Sequence, residues 1–353
     1  MNIYIPYEEN IFLDEKKLFV LVRPFFKNGN WSNDNDNFKN WGLKSSNIRI
    51  VRNPELADLI LIPMSINYYK NNNRMSLLND YNNLCKKYSI KAFGYVSGDF
   101  GTKFNEFSNI IYFRMSGFKS LLSAKNQGFP ASLSDQLMIL YNKDNIKINK
   151  KSEIPIIGFC GHATNHPITF IHQTYIFLIE NIKRFFKNPF DNNYEVFFQS
   201  AYQRHKILKQ IEEENGLKTN FIYRKQYRAG AKDKKKRNKT TLEYYDNILI
   251  SDYILCLRGT GNFSIRLYET LMMGKIPVLI NTDCLLPFNK IIDWKQHVIW
   301  IEWSDVEDIP NIIKLFHQKI TNENFQKLQK NNRKLWLEIL QPAWTIKNLK
   351  NLE

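Results

Sequence analysis

Residues 252–294 read DYILCLRGTGNFSIRLYETLMMGKIPVLINTDCLLPFNKIIDW, and the order of signals in this stretch decides the fold. An apolar run at 253–257 closes on the glycine loop 258–262, and an amphipathic segment at 264–273 follows. Gly274 stops that segment before a second apolar run at 277–280. Strand, loop, helix, stop and strand make a βαβ unit. Its loop must lie at the carboxyl end of a parallel sheet, which is where ligands of open α/β folds bind.

The same pattern extends in both directions. Residues 17–26, 57–66, 90–97 and 109–116 carry short apolar, β-branched or aromatic runs bounded by turn residues, and they read as buried strands. Leu77, Leu78, Tyr81, Leu84 and Cys85 place one helical face on 75–88. A polar stretch at 142–153 precedes a restart: a strand at 154–160, an apolar helix at 168–186, a strand at 195–198, a charged helix at 203–214 and a strand at 219–223. The tail 306–340 reads as two amphipathic helices, with Leu315, Phe316, Leu328, Leu335, Trp336 and Leu340 as packing residues. Pro287, Phe288 and Trp294 read as packing after the βαβ unit. Strands alternating with helices imply parallel sheets. Two α/β domains, 1–150 and 151–353, facing a cleft, are the expected architecture.

Composition narrows the function classes. The chain has 353 residues, 43% of them hydrophobic, which excludes wholesale disorder. Fifty Lys and Arg against 34 Asp and Glu give a formal charge of +16, so the surface attracts nucleic acid, phosphate or an acidic membrane. The dense run 232–239 (KDKKKRNK) reads as a solvated loop. Cys85, Cys160, Cys256 and Cys284 form no metal or redox motif and read as buried thiols. No run approaches 18 apolar residues, so a soluble, cytoplasmic protein, at most peripheral to a membrane, is expected. Asp34-Asn35-Asp36 matches a metal-binding DxD in form only, since no strand supports it. His162 and His166 are four apart, but Pro167 argues against a helical ligand pair. No metal is assigned.

The loop after the 253–257 strand carries the strongest chemistry. Gly259 and Gly261 let a backbone approach a ligand, the following helix start offers free N–H groups, and Arg258 and Arg266 supply charge. Together they suit a nucleotide diphosphate. Each also has a plainer reading: the glycines as turn formers, Ser264 as an N-cap. Glu269 can accept from two vicinal ribose hydroxyls or pair with Arg266 one turn away, and spacing leaves both open.

This stretch resembles the carboxyl-terminal signature of exostosin-like glycosyltransferases of family forty-seven, particularly their short bacterial or viral forms. Fainter echoes are NPELADLILIPMS at 53–65, GYVSGD at 94–99, FRMS at 113–116 and IGFCGH at 157–162. The resemblance implies a GT-B fold and an inverting transfer without a catalytic metal. The donor would be a nucleotide sugar, a uridine diphosphate sugar by family frequency. The acceptor would be a glycan or lipid-linked glycan of surface polysaccharide. Carried over by position, Glu269 holds the ribose, and Arg258, Ser264 and Arg266 lie near the diphosphate, where Gly259 and Gly261 make room.

An inverting displacement needs a general base from the first domain. Asp99, after the 90–97 strand, has that placement, or is only a turn former; Asp135 is the second choice, or caps a helix. Arg224 is a further diphosphate candidate, or part of a solvated basic loop, and His162 ends a strand at the cleft. The alternatives are a basic nucleic-acid-binding protein, although no recognisable nucleic-acid module appears, and a glycan-binding relative without turnover.

Overall fold

The computed structural model describes residues 1–6, 17–27, 29–44, 47–104, 106–187, 189–190, 193–231 and 233–352. The first domain begins with β1 (Asn2–Tyr4), the hairpin β2 (Phe26–Lys27) and β3 (Asn30–Trp31), α1 (Asn35–Asn40) and β4 (Arg49–Val51). It continues with β5 (Leu59–Ser65), α2 (Ile66–Asn71), α3 (Met75–Tyr88), β6 (Lys91–Val96), β7 (Ile110–Arg114), β8 (Asn126–Gly128) and α4 (Gln136–Tyr141). Six strands form one sheet in the order β4-β1-β5-β6-β7-β8, and the pairings are parallel. Helices cover both faces of such a sheet, so its central strands are mostly apolar. β5 shows this, with Leu59 to Met64 buried.

The second domain holds β9 (Ile156–His162), α5 (Pro167–Lys187), α6 (Ser200–Glu212), β10 (Lys218–Arg224), α7 (Lys234–Ile250), β11 (Tyr253–Cys256), α8 (Ile265–Met272), β12 (Ile276–Asn281) and β13 (Ile299–Glu302). Then come α9 (Ile309–Lys319), α10 (Asn322–Glu338) and α11 (Pro342–Asn348). Its parallel sheet runs β10-β9-β11-β12-β13. Each sheet grows outward in both directions from its first strand. The topological switch points therefore fall between β1 and β5 and between β9 and β11. Two Rossmann-like α/β domains meeting at a cleft are the GT-B arrangement.

Four sequence expectations need correction. Residues 17–26 do not form a strand; Val20–Phe25 is a buried 3-10 helix. Pro24 lacks the N–H a ladder requires, and a single bridge between Leu18 and Met64 holds the segment to β5. Residues 195–198 pair with no strand, because the Asn181 side chain on α5 bonds both the N–H and the C=O of Glu195. The basic run is helical from Lys234, capped by the Asp233 carboxylate on the Lys236 N–H, while residue 232 lies outside the described residues. Leu315 is exposed, unlike Phe325 and Trp336 beside it on the tail.

The tail also revises the domain limits. Ile346, Leu349 and Leu352 are buried in the core that contains β1 and β5. Lys350 pairs with Asp58 at 2.9 Å, Lys347 donates to the Gly42 carbonyl, and Gln127 donates to the Leu352 carbonyl. Residues 342–352 therefore complete the first domain, not the second. Direct strand-like bridges, Phe118 to Cys284 and Gly128 to Pro287, join the domains at the cleft floor. A Cβ at Gly128 would stand 2.4 Å from the Leu286 carbonyl carbon, so only glycine permits this approach.

Candidate active site

Three arginines converge beneath the loop that follows β11. Arg266, on α8, spans the switch point: its Nη2 donates to the Cys160 carbonyl on β9 at 2.9 Å and its Nη1 to Leu255 on β11 at 3.4 Å. Its guanidinium lies 4.2 Å from the Phe159 ring centroid. A Cβ at Gly161 would stand 2.7 Å from Nη2, so glycine leaves the arginine its seat. Arg204, on α6, donates to the Leu257 and His162 carbonyls. Arg258 is 3% exposed and is held between the rings of Phe118 and Phe198, one from each side of the cleft.

These cations are not neutralised one for one. Arg258 has Glu195 at 3.8 Å. Burial, then the charge of Arg266, pushes the Arg204 guanidinium down to about 9, which still leaves it charged at neutral pH. Burial likewise lowers Arg258, partly offset by Glu195. For Arg266 burial acts downward too, but Tyr244, Cys256 and Glu269 outweigh it and the net shift is upward. His162 is lowered by burial and by Arg204, so its imidazole is neutral at pH 7.

The Nε atoms of Arg204, Arg224, Arg258 and Arg266, with His162 Nε2, are buried with no hydrogen-bond partner among the described residues. A buried polar group left unpaired costs about 1–3 kcal/mol. Oxygens of an anion would satisfy several of these donors together. The start of α8 adds N–H groups and a positive dipole end. Ser264 occupies the N-cap position, yet its side chain makes no capping bond.

Glu269, one turn further along α8, accepts hydrogen bonds from the hydroxyls of Tyr244 at 2.5 Å and Tyr245 at 3.2 Å. Both tyrosines stand on α7, and burial, then Glu269, raises their pKa values. A carboxylate offers about four acceptor positions. The two tyrosines fix the plane of that carboxylate.

Asp99 comes to the same place from the other domain. Its carbonyl accepts from Ser116 Oγ, which accepts in turn from the Asn262 N–H at 3.2 Å. A Cβ at Gly261 would lie 2.9 Å from that Asp99 carbonyl and closer still to the Phe263 ring. Gly261 thus makes room for the facing backbone rather than for a ligand. Gly259 has open space on its side chain's would-be path, with Arg204 Nη2 nearest at 3.7 Å. Partial burial pushes the Asp99 carboxyl above its ordinary pKa.

Two candidates are otherwise occupied. Arg224 ends β10 in register with His162, but its Nη2 is spent on Glu243 at 2.8 Å and the Thr240 carbonyl; it is no solvated loop residue. Asp135 caps α4 through the Leu137 N–H and takes Arg333 on both oxygens. That engagement removes it as a base. Asp135→Ala would leave Arg333, buried on α10, without its counter-charge. It should cost about 2–4 kcal/mol of stability, measured by denaturant unfolding, with donor affinity unchanged.

Several residues carry no readable sequence signal. Arg204 sits in a charged helix where nothing marks it out. Glu195 pairs with Arg184 at 3.2 Å and accepts the Gly101 N–H at 2.9 Å. Asn262 bonds the Gly117, Thr282 and Asp283 carbonyls, stitching both domains. In the first domain a cavity of about 490 Å³ opens beside Ser97, walled by Phe19, Tyr68, Tyr95 and Phe129.

Residues 186–316 match the exostosin GT47 domain. Exostosin-1 of Drosophila melanogaster is 32% identical over 104 residues, 30% of this chain and 13% of its own length. A probable glucuronosyltransferase of Oryza sativa subsp. japonica is 28% identical over 100 residues, 28% of this chain and 24% of its own. The chain thus spans less than a quarter of the length of these relatives. A solved glycosyltransferase from Rickettsia africae ESF-5 overlays 91% of this chain and 87% of its own with a TM-score of 0.33 at 10% identity. β10, β11, α8 and β12 all lie inside the span that is similar to the exostosin GT47 domain.

Proposed function

We propose that the protein transfers a sugar from a nucleoside diphosphate donor to a glycan hydroxyl with inversion. The observation that carries this reading is the group of buried arginine Nε donors at the β9–β11 switch point that have no hydrogen-bond partner among the described residues, with the Asp99 backbone set against Gly261 of the same loop. Glu269 takes the ribose hydroxyls. Arg266, Arg204 and the α8 start take the diphosphate, and Arg258 holds the loop's shape from below. An acceptor hydroxyl, entering from the aromatic cavity beside Ser97, attacks the anomeric carbon. Its proton passes to the Asp99 carboxylate while the bond to the diphosphate oxygen breaks and leaves its electron pair on the diphosphate. Arginine charge and N–H groups stabilise that leaving anion. A uridine base and a surface-polysaccharide acceptor are the finer parts of this reading.

Thermal stability against a panel of nucleoside diphosphates tests the donor site. A ligand at a hundred times its Kd should add about 2.7 kcal/mol of stability. Asp99→Asn should keep that shift while transfer falls by about 10²–10⁴. Because the base must be ionised, parent activity should rise with pH through the Asp99 pKa, and that acid limb should lie above the ordinary carboxylate range. No shift with any diphosphate at millimolar concentration would overturn the reading.

A further inference from the structure

We propose that α5 is a docking surface for an anionic lipid bilayer. This helix of 21 residues has no buried residue, although it is strongly apolar. Its inward side is polar or aromatic and packs thinly: Gln173 reaches Ser200, Asn181 and Arg184 reach Glu195, and Phe177 meets Phe197. The outward side carries Ile168, Ile171, Tyr175, Leu178, Ile182 and Phe185, between 49% and 70% exposed. Their alternating spacings of three and four residues draw one stripe along the helix. Phe186, 81% exposed, adjoins it in the last turn, and Phe190, 95% exposed, follows beyond the helix end.

A contiguous apolar patch of this kind marks a contact surface, and charge identifies the occupant. Lys183 and Lys187 are exposed on the flank of the stripe. The acid of the helix, Glu180, is tied to Arg184 at 2.8 Å. The whole chain carries a formal +16. Two copies brought face to face would repel, whereas a negatively charged headgroup layer attracts the same surface. Among the described residues no helix is long and apolar enough to cross a membrane, so α5 lies along the interface. It starts five residues after His162, and so holds the cleft beside the bilayer. A lipid-linked acceptor would then reach the site without leaving the membrane.

Flotation with vesicles tests this on the full chain, with no need for a donor or for turnover. The protein should float with vesicles of phosphatidylcholine containing phosphatidylglycerol, less so as salt rises, and not with phosphatidylcholine alone. The triple variant Leu178→Gln, Ile182→Gln, Phe186→Gln should bind about a hundredfold more weakly with an unchanged melting temperature. Lys183→Gln should weaken binding about fivefold. Absence of flotation, or flotation equal in parent and triple variant, would overturn the proposal. So would a parent dimer in sedimentation velocity that the triple variant converts to monomer, since a second copy would then cover the stripe.

Discussion

Glu269→Ala will bind a nucleoside diphosphate about a hundredfold more weakly than the parent chain. Two hydrogen bonds from ribose hydroxyls to a carboxylate, at about 1.5 kcal/mol or more each, account for about 3 kcal/mol. The substitution also strips Tyr244 and Tyr245 of their shared acceptor, so a stability loss of about 1–3 kcal/mol accompanies it. Titration calorimetry on protein shown to be folded separates the two effects. Glu269→Gln keeps one acceptor oxygen in place and should lose only about tenfold in affinity, with little change in stability. An unchanged Kd in folded Glu269→Ala would remove the ribose assignment and leave Glu269 as an anchor for α7 on α8.

Glu195→Ala will destabilise the protein by about 3–5 kcal/mol, the cost of removing one partner from a buried ion pair. The Glu195 side chain is 5% exposed and stands against Arg184 and Arg258. It also accepts the Gly101 N–H of the opposing domain. Without it, Arg258 keeps, among the described residues, the Thr260 carbonyl and two aromatic faces. The loop carrying Gly259 should then lose its fixed height, and donor affinity should fall together with stability. Denaturant unfolding of parent and variant measures the first effect, and the diphosphate titration the second. Equal midpoints would show that solvent or another group takes over the Glu195 contacts.

The βαβ unit at 252–294 was fully legible because parallel strands buried on both faces are apolar throughout, and glycine marks where the helix between them stops. Gly274 has φ +65°, a left-handed backbone that the residue type alone announces. Helix 75–88 was legible to the residue because its apolar positions repeat with the helical period. Arg266 and Glu269 were legible as candidates for the same reason: a helix following a glycine loop fixes where its first two turns point.

Other features depend on partners distant in the chain. Pro24 turned an apolar run that reads as a strand into a 3-10 helix, and Asn181 replaced the ladder that 195–198 would have needed. Asp99 and Asp135 are both carboxylates at loop ends. They separate only once Arg333, 198 residues further on, takes both oxygens of Asp135, while Asp99 is set against Gly261. Local sequence determined the strands β5, β6, β7, β9, β10, β11 and β12 and the loop after β11, since strand, helix and turn preferences act over a few residues. Tertiary structure alone decided which charges meet, which arginine N–H groups are left unpaired, and that α11 closes the first domain. Those outcomes are set by burial and by contacts across the cleft, and no short stretch of sequence records them.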